Sequence, residues 1–400
     1  MRSMKEIAEE MGRRHEVRMI VPAHDFRGKV PKGTVFNFVL ERVDTHGLRF
    51  NGPYVYLAIR NALRRFHPDV VILAYGNLFK PYFFYAAEGY PTITINDPYQ
   101  LICPMSVGLL LRHGKVCPYN AVKYPGQCAT CPDDKMRILK NTGPFDRDEF
   151  FRSLRFLFPL YHRLLCSSLS KPQLYVVPSK FVRSRLAEIV PNERITIIPF
   201  GVDPETFKPN SGREKGPFRI YLPGRVWDPA KGLGVVLRAA EILARKCGNF
   251  KVIIRGRTPP GFERDRYPFV SQLPWGSDSE LADTYSSSDV VVVPSLWAEP
   301  FGLTALEGMS AGVPVIASNH GGLSETVVDG LTGFLFKPGD ANALANKLEF
   351  LVRNPELRAV MGKNGRRRVL ERYTWKHIVD QYEAAVRSLV TTEWTETRGK

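Results

Sequence analysis

Four hundred residues exceed what one ordinary hydrophobic core organises and suit two domains of about 150–200 residues each. The composition, 44% hydrophobic and 24% charged, is that of a soluble globular protein, and no run of about 18 uncharged apolar residues is present to cross a bilayer. The net charge of +16 is uneven, +12 over residues 1–200 against +4 over 201–400, and excludes little beyond a nucleic-acid module, for which no recognition signature exists. The basic first half implies either an anionic partner, such as acidic lipid headgroups or a phosphorylated acceptor, or a solvated basic face.

In chain order, MKEIAEEMGRR patterns as an amphipathic helix. It lacks the apolar core of a signal peptide, so a cytoplasmic location is expected. No strand or glycine-rich turn precedes it, although an open α/β domain normally opens with one. The expectation is that residues upstream are missing or that this domain is truncated. Short apolar runs then alternate with helical patterns, with strands expected at 15–22, 69–75, 92–96 and 174–178, and again at 218–224, 250–256, 289–295 and 313–318. That alternation is the sequence form of βαβ units, so each half reads as its own doubly wound parallel-sheet domain.

Between 148 and 165, aromatic residues interleave with Arg152, Arg155 and Arg163, an amphipathic segment suited either to an anionic membrane surface or to a domain interior. Proline, glycine and charge mark 197–217 as a linker, which divides the chain into 1–204 and 205–376. Strong helical patterns follow at 341–354 and 377–390, and the last ten residues are expected to fray. Two such domains leave a cleft between their strand C-termini, where ligands of open α/β sheets bind.

The residues suited to chemistry sit at two strand–helix junctions. In the first, a strand ends at Ser295, a loop carries Glu299-Pro300-Phe301-Gly302, and a helix begins near Gly302 or Leu303. The free amides and positive dipole end of that helix form an anion site. Glu307 lies eight residues beyond Glu299, so both carboxylates can face one elongated ligand; alone, they read equally as a helix-start acid and a solvated glutamate. In the second, a strand runs into Gly224-Arg225, and a short loop leads to Lys231-Gly232 at a helix start. Two cations beside helix amides suit a diphosphate, although a basic surface loop would look the same.

Taken together, Gly224-Arg225, Lys231-Gly232, Glu299-Pro300-Phe301-Gly302, Glu307 and Gly321-Gly322 resemble glycosyltransferase family 4, retaining enzymes of the two-domain GT-B fold. The likeness spans most of 170–390. It implies that Arg225 and Lys231 hold the diphosphate of a nucleotide sugar donor. It further implies that Glu299 and the amides of Phe301, Gly302 and Leu303 contact the transferred hexose, and that Glu307 binds the ribose. The loop at Arg255-Gly256 and the segment near Leu273 would flank the base, and helix 377–390 would cross back onto the N-terminal domain. No metal is needed for catalysis in such enzymes; the acceptor is a glycan or a lipid-linked sugar.

The N-terminal half departs from that pattern. Asn96-Asp97 stands where a His-Asp pair is usual, and asparagine can donate a hydrogen bond but cannot shuttle a proton. His24, on a loop, is another candidate. A nucleotide-sugar-binding protein with little turnover is therefore the alternative. Cys103, Cys117, Cys128 and Cys131, the last two in a Cys-x2-Cys spacing, can make a structural zinc site, with one or two disulfides or unlinked thiols as rivals. A similar cysteine-rich insertion occurs in a subset of the resembled family.

Overall fold

The computed structural model describes residues 2–22, 39–43, 52–74, 80–95, 99, 101–103, 117–130, 147–210 and 216–397. Its first half runs α1 (Arg2–Met11), β1 (Arg18–Pro22), β2 (Val39–Val43), α2 (Gly52–Phe66), β3 (Val71–Leu73), α3 (Lys80–Ala86) and β4 (Thr92–Ile95). It continues through α4 (Pro125–Thr130), α5 (Arg147–Ser168), β5 (Leu174–Val177), α6 (Lys180–Leu186) and β6 (Ile195–Ile197). The second half begins with β7 (Phe218–Leu222), α7 (Leu233–Ala244), β8 (Phe250–Arg255), β9 (Val270–Leu273), α8 (Asp278–Ser286), β10 (Val290–Val293) and α9 (Leu303–Ser310). It closes with β11 (Val315–Ser318), α10 (Leu323–Thr326), β12 (Gly333–Phe336), α11 (Ala341–Arg353), α12 (Pro355–Arg372) and α13 (Trp375–Thr397).

All pairings among the described strands are parallel. The C-terminal sheet has the order β12-β11-β10-β7-β8-β9, and the N-terminal strands form β3-β4-β5-β6 and a separate β1-β2 pair. Parallel strands are covered by helices on both faces, so they carry continuous rather than alternating apolar residues. β10 shows this in its sequence, four valines each at most 4% exposed. Burying one such side chain contributes about 1.5–3 kcal/mol, so Val291→Asp at this central strand would undo the sheet.

Helices are set by local chemistry. Asp340 caps α11 by accepting from the amide of Ala343 at 2.9 Å, and Leu344, Leu348 and Leu351 then fall on one buried face. Ser277 and Glu280 form a reciprocal capping box at α8. The final helix runs on to Thr397, past the point where fraying was expected, because no proline or glycine interrupts 375–397. It returns to the N-terminal half, where Arg14 on the α1 side donates to Asp380 at 2.7 Å and Glu383 at 3.1 Å. At its start, the linker residue Val202 donates its amide to the carbonyl of Tyr373 at 2.8 Å.

One apolar cluster joins the halves: Met4, Ile7 and Met11 of α1 share it with Ile93, Ile95, Phe200, Phe207, Phe301, Ile378 and Tyr382. Among the described residues no helix is long and apolar enough to cross a membrane. In α5, Phe158 and Leu165 are buried, whereas Leu160 is 68% exposed and Arg163 is exposed. The side chains of Arg152 and Arg155 lie outside the described residues.

Candidate functional site

The C-terminal sheet reverses its strand order between β7 and β10: strands 7, 8 and 9 step to one side, and 10, 11 and 12 to the other. The loops leaving two such neighbouring strands diverge and open a crevice at their C-terminal ends. Both motif clusters lie there, one after β7 and one after β10.

Lys231 closes a 3-10 turn, Pro229–Lys231, which Asp228 caps by accepting from the amide of Ala230 at 3.0 Å. Gly232, in the left-handed region at φ +77°, then turns the chain into α7, and a Cβ there would stand 2.2 Å from the carbonyl oxygen of Pro294. The ammonium of Lys231 thereby reaches across the crevice and donates to Oε1 of Glu299 at 2.7 Å. The same oxygen accepts from the hydroxyl of Ser295 at 2.6 Å and from the indole N–H of Trp297 at 2.9 Å. All three bonds fall on Oε1, which leaves Oε2 to accept from a ligand hydroxyl. Glu299 is only 7% exposed. Burial raises its pKa, but the charge of Lys231 and the hydrogen bonds from Lys231, Ser295 and Trp297 outweigh it and hold the carboxyl below its ordinary value. Lys231 also lies 4.9 Å from the centroid of the Trp297 ring.

The loop that carries Glu299 is held from behind. The amide of Gly322 donates to the Glu299 carbonyl at 2.7 Å, and a Cβ at Gly321 or Gly322 would come within 2.5 Å of Glu299 or Pro300 backbone oxygen. This close approach is the reason for the Gly-Gly pair. His320 donates from Nε2 to the carbonyl of Ser295 at 2.9 Å; its burial lowers its pKa, outweighing hydrogen bonding to the backbone of Ser295 and Trp297 and the charge of Glu299.

Gly302, at φ +101°, is the N-cap of α9, so the first turn of that helix points its amides at the crevice beside buried Phe301. Glu307, one turn further on, accepts the hydroxyl of Tyr285 at 2.6 Å. Arg225 is exposed, stands 3.6 Å from Asp228 and lies 5.8 Å from the Trp227 ring centroid, so its guanidinium is held loosely at the rim. Arg255 differs in kind. Its buried guanidinium donates to Thr284 Oγ1 at 2.8 Å and to the carbonyls of Pro274 and Glu280 at 2.9 and 3.1 Å, so it braces the 273–284 segment and is not itself offered to a ligand.

Asn96 and His24 lie outside the described residues. Tyr99, three residues beyond Asn96, is buried and donates its hydroxyl to the carbonyl of Ala298 at 2.7 Å. Its ring meets Trp297 and Phe181 edge-on, so the N-terminal half touches the Glu299 loop directly. A second bridge joins the halves where Glu325 accepts the amides of Lys180 and Phe181 at 2.9 and 3.0 Å. Sequence reasoning missed Tyr99, Ser295, Trp297, His320 and Glu325. The one local signal was Ser295 and Trp297 within four residues of Glu299.

Of the four clustered cysteines, Cys103 and Cys117 are buried and Cys128 half-buried in one apolar cluster, with Cys103 and Cys117 not joined in a disulfide. Cys131 lies outside the described residues. Among the described residues no three His, Cys, Asp or Glu side chains converge as metal ligands would.

Comparison with known proteins agrees with the fold. Residues 203–368 match the family model described as glycosyl transferases group 1. MMP alpha-(1->4)-mannosyltransferase of Mycolicibacterium hassiacum is 32% identical over 227 residues, which cover 54% of each chain. This chain thus spans about half the length of such curated relatives. Among solved structures, sucrose-phosphate synthase from Thermosynechococcus elongatus superposes with a TM-score of 0.69 at 20% identity, covering 98% of this chain and 93% of that one. Anabaena HepE in complex with UDP and glucose superposes at 0.64 and 16% identity, covering 96% and 95%. The fold is therefore GT-B, and residues 203–368 resemble the glycosyl transferases group 1 family.

Proposed function

We propose that the chain is a retaining glycosyltransferase of family 4 that moves a hexose from a nucleotide-diphosphate sugar to a glycan or lipid-linked acceptor. The observation that carries this reading is the 2.7 Å Lys231–Glu299 pair spanning the crevice between β7 and β10. It places a cation and an ionised acceptor side by side where ligands of this sheet type bind.

The chemistry follows from charge. As the glycosidic C–O bond breaks, positive charge grows on the sugar and negative charge on the departing diphosphate. Lys231, Arg225 and the first amides of α9 are placed to stabilise the diphosphate more in the transition state than in the ground state. Glu299 keeps Oε1 for Lys231, Ser295 and Trp297 and offers Oε2 to a sugar hydroxyl, which fixes the ring relative to the leaving group. Glu307, steadied by Tyr285, offers acceptors to the ribose. The cations supply the charge a divalent metal would otherwise bring.

The test is to incubate the protein with UDP-, GDP- and ADP-sugars and candidate acceptors, measuring nucleoside diphosphate release and the anomeric configuration of the product. Product with the donor's configuration supports the proposal. Release with inverted product overturns the retaining assignment, and binding without release or transfer identifies a nucleotide-sugar-binding protein.

A further inference from the structure

We propose that Tyr99 is a positioning residue for Glu299: its hydroxyl, reaching over from the N-terminal half, fixes the backbone that aims Oε2 at the transferred hexose. The inference rests on the reading of the β7–β10 crevice as a glycosyl-transfer site. Tyr99 is 1% exposed and is one of two described residues other than glycine with a positive φ, at +49°. A tyrosine takes up that conformation against strain, so the surrounding structure must impose it. The Tyr99 carbonyl accepts the amides of Ile102 at 2.9 Å and Cys103 at 2.6 Å, which closes a turn. The carbonyl of Ile102 accepts the amide of Ala121 at 2.9 Å, which ties that turn down.

The strained turn sends the side chain out of its own half. The hydroxyl donates to the carbonyl of Ala298 at 2.7 Å, across a sequence separation of 199 residues. Ala298 is 0% exposed, and a buried carbonyl needs a partner; here the other half supplies it. The Tyr99 ring meets Phe181 and Trp297 edge-on, with centroids 6.3 and 6.4 Å apart. A phenylalanine would keep those ring contacts and lose the bond to Ala298.

Ala298 stands between Trp297, whose indole N–H holds Oε1 of Glu299, and Glu299 itself. The peptide entering Glu299 is pinned at the Ala298 carbonyl by Tyr99, and the Glu299 carbonyl is pinned by the amide of Gly322 at 2.7 Å. With both flanking carbonyls held, the direction in which the Glu299 side chain leaves the backbone is set. The three bonds on Oε1 then decide where Oε2 points. Small errors in the placement of a group that orients a reacting sugar are costly in rate. The Tyr99 hydroxyl is spent on a backbone carbonyl and is not offered to phosphate or base. Its removal therefore acts on kcat and leaves nucleotide affinity alone. Because Tyr99 belongs to the acceptor-side half, Oε2 is aimed when the two halves are in register.

The test compares Tyr99→Phe with Tyr175→Phe in the full chain. Tyr175 is 0% exposed and also donates its hydroxyl to a carbonyl at 2.7 Å, that of Leu169, but within the N-terminal half. Each variant loses one buried hydroxyl–carbonyl bond, so both should melt slightly lower than wild type, by similar amounts. With the UDP-, GDP- or ADP-sugar that wild type uses best, kcat for nucleoside diphosphate release to acceptor should fall about tenfold in Tyr99→Phe. It should stay within about twofold of wild type in Tyr175→Phe, and calorimetric affinity for the matching nucleoside diphosphate should stay within about twofold in both. Unchanged kcat in Tyr99→Phe overturns the assignment and leaves the transferase reading standing. Parallel losses of kcat in the two variants also overturn it, because general loosening of the fold would then be the cause. So does a loss of nucleoside diphosphate affinity equal to the loss in kcat. If wild type turns over none of the three donors, the transferase reading fails and the role of Tyr99 fails with it.

Discussion

At the residue scale, the Oε1 oxygen of Glu299 concentrates the site's electrostatics, because it receives a cation, a hydroxyl and an indole N–H at once. Trp297→Phe removes one of these donors while keeping the ring under Lys231. Losing a hydrogen bond to a charged group costs about 1.5–3 kcal/mol, so kcat/KM should fall by one to two orders of magnitude and the melting temperature by a few degrees. Steady-state kinetics with the preferred donor checks this, and an unchanged kcat/KM would show that Trp297 does not position Glu299. His320 gives a pH signature. Its folded pKa is depressed, so the unfolded chain takes up the proton first, and stability should fall as the pH drops below the ordinary imidazole value of 6.5 toward the lower folded value. Thermal unfolding from pH 8 to pH 5 should show a shallower loss in His320→Asn than in wild type. The depressed carboxyl of Glu299 acts further down: its contribution is present above the ordinary carboxylate range and lost as pH falls through its lower folded value. These partners were not legible in the sequence, because Lys231 and Glu299, or Tyr99 and Ala298, become neighbours only once separate strands align.

At the element scale, the chain announced its central strands and the edges β1 and β3, and hid four other edge strands. β10, β11, β7 and β8 carry long apolar runs because helices cover both faces, and all four were expected close to where they lie. β2 (VLERV), β6 (ITI), β9 (VSQL) and β12 (GFLF) were not singled out, and each lies at the edge of its sheet. An edge strand is short and half-solvated, so polar residues and glycine are tolerated there and the periodic signal is lost. The glycine and acid motifs at 299–307 and 321–322 were legible for the opposite reason: close backbone approach admits only glycine. Between elements, Glu325 holds the start of α6 through two backbone amides. Glu325→Gln should lower unfolding stability by about 0.5–2 kcal/mol, the scale of a lost helix cap, and weaken donor-induced closure more than donor binding itself. Chemical denaturation with small-angle scattering, with and without donor, measures both; identical profiles would remove Glu325 from any role in joining the halves.

At the scale of the whole molecule, two parallel-sheet units meet across a crevice, bridged by the Tyr99–Ala298 and Glu325 contacts and by α13 returning to α1. Arg366 pins the linker by donating to the carbonyls of Pro204, Phe207 and Ser310 at 2.7–2.9 Å. Such an arrangement lets closure assemble the reacting groups from both halves and exclude water. If side chains supply the charge, as proposed, transferase activity should persist in excess EDTA; loss of activity restored by a divalent cation would assign that role to a metal. The central claim is that Arg225 and Lys231 stabilise the departing diphosphate. Its most direct measurement is kcat/KM for Arg225→Ala and Lys231→Ala with the preferred nucleotide sugar. Each should lose roughly 2–4 kcal/mol of transition-state stabilisation, about 30- to 1,000-fold in rate; Arg225→Ala should melt near wild type, whereas Lys231→Ala, which strips buried Glu299 of its cation, should also melt lower. Wild-type turnover in both variants would contradict it.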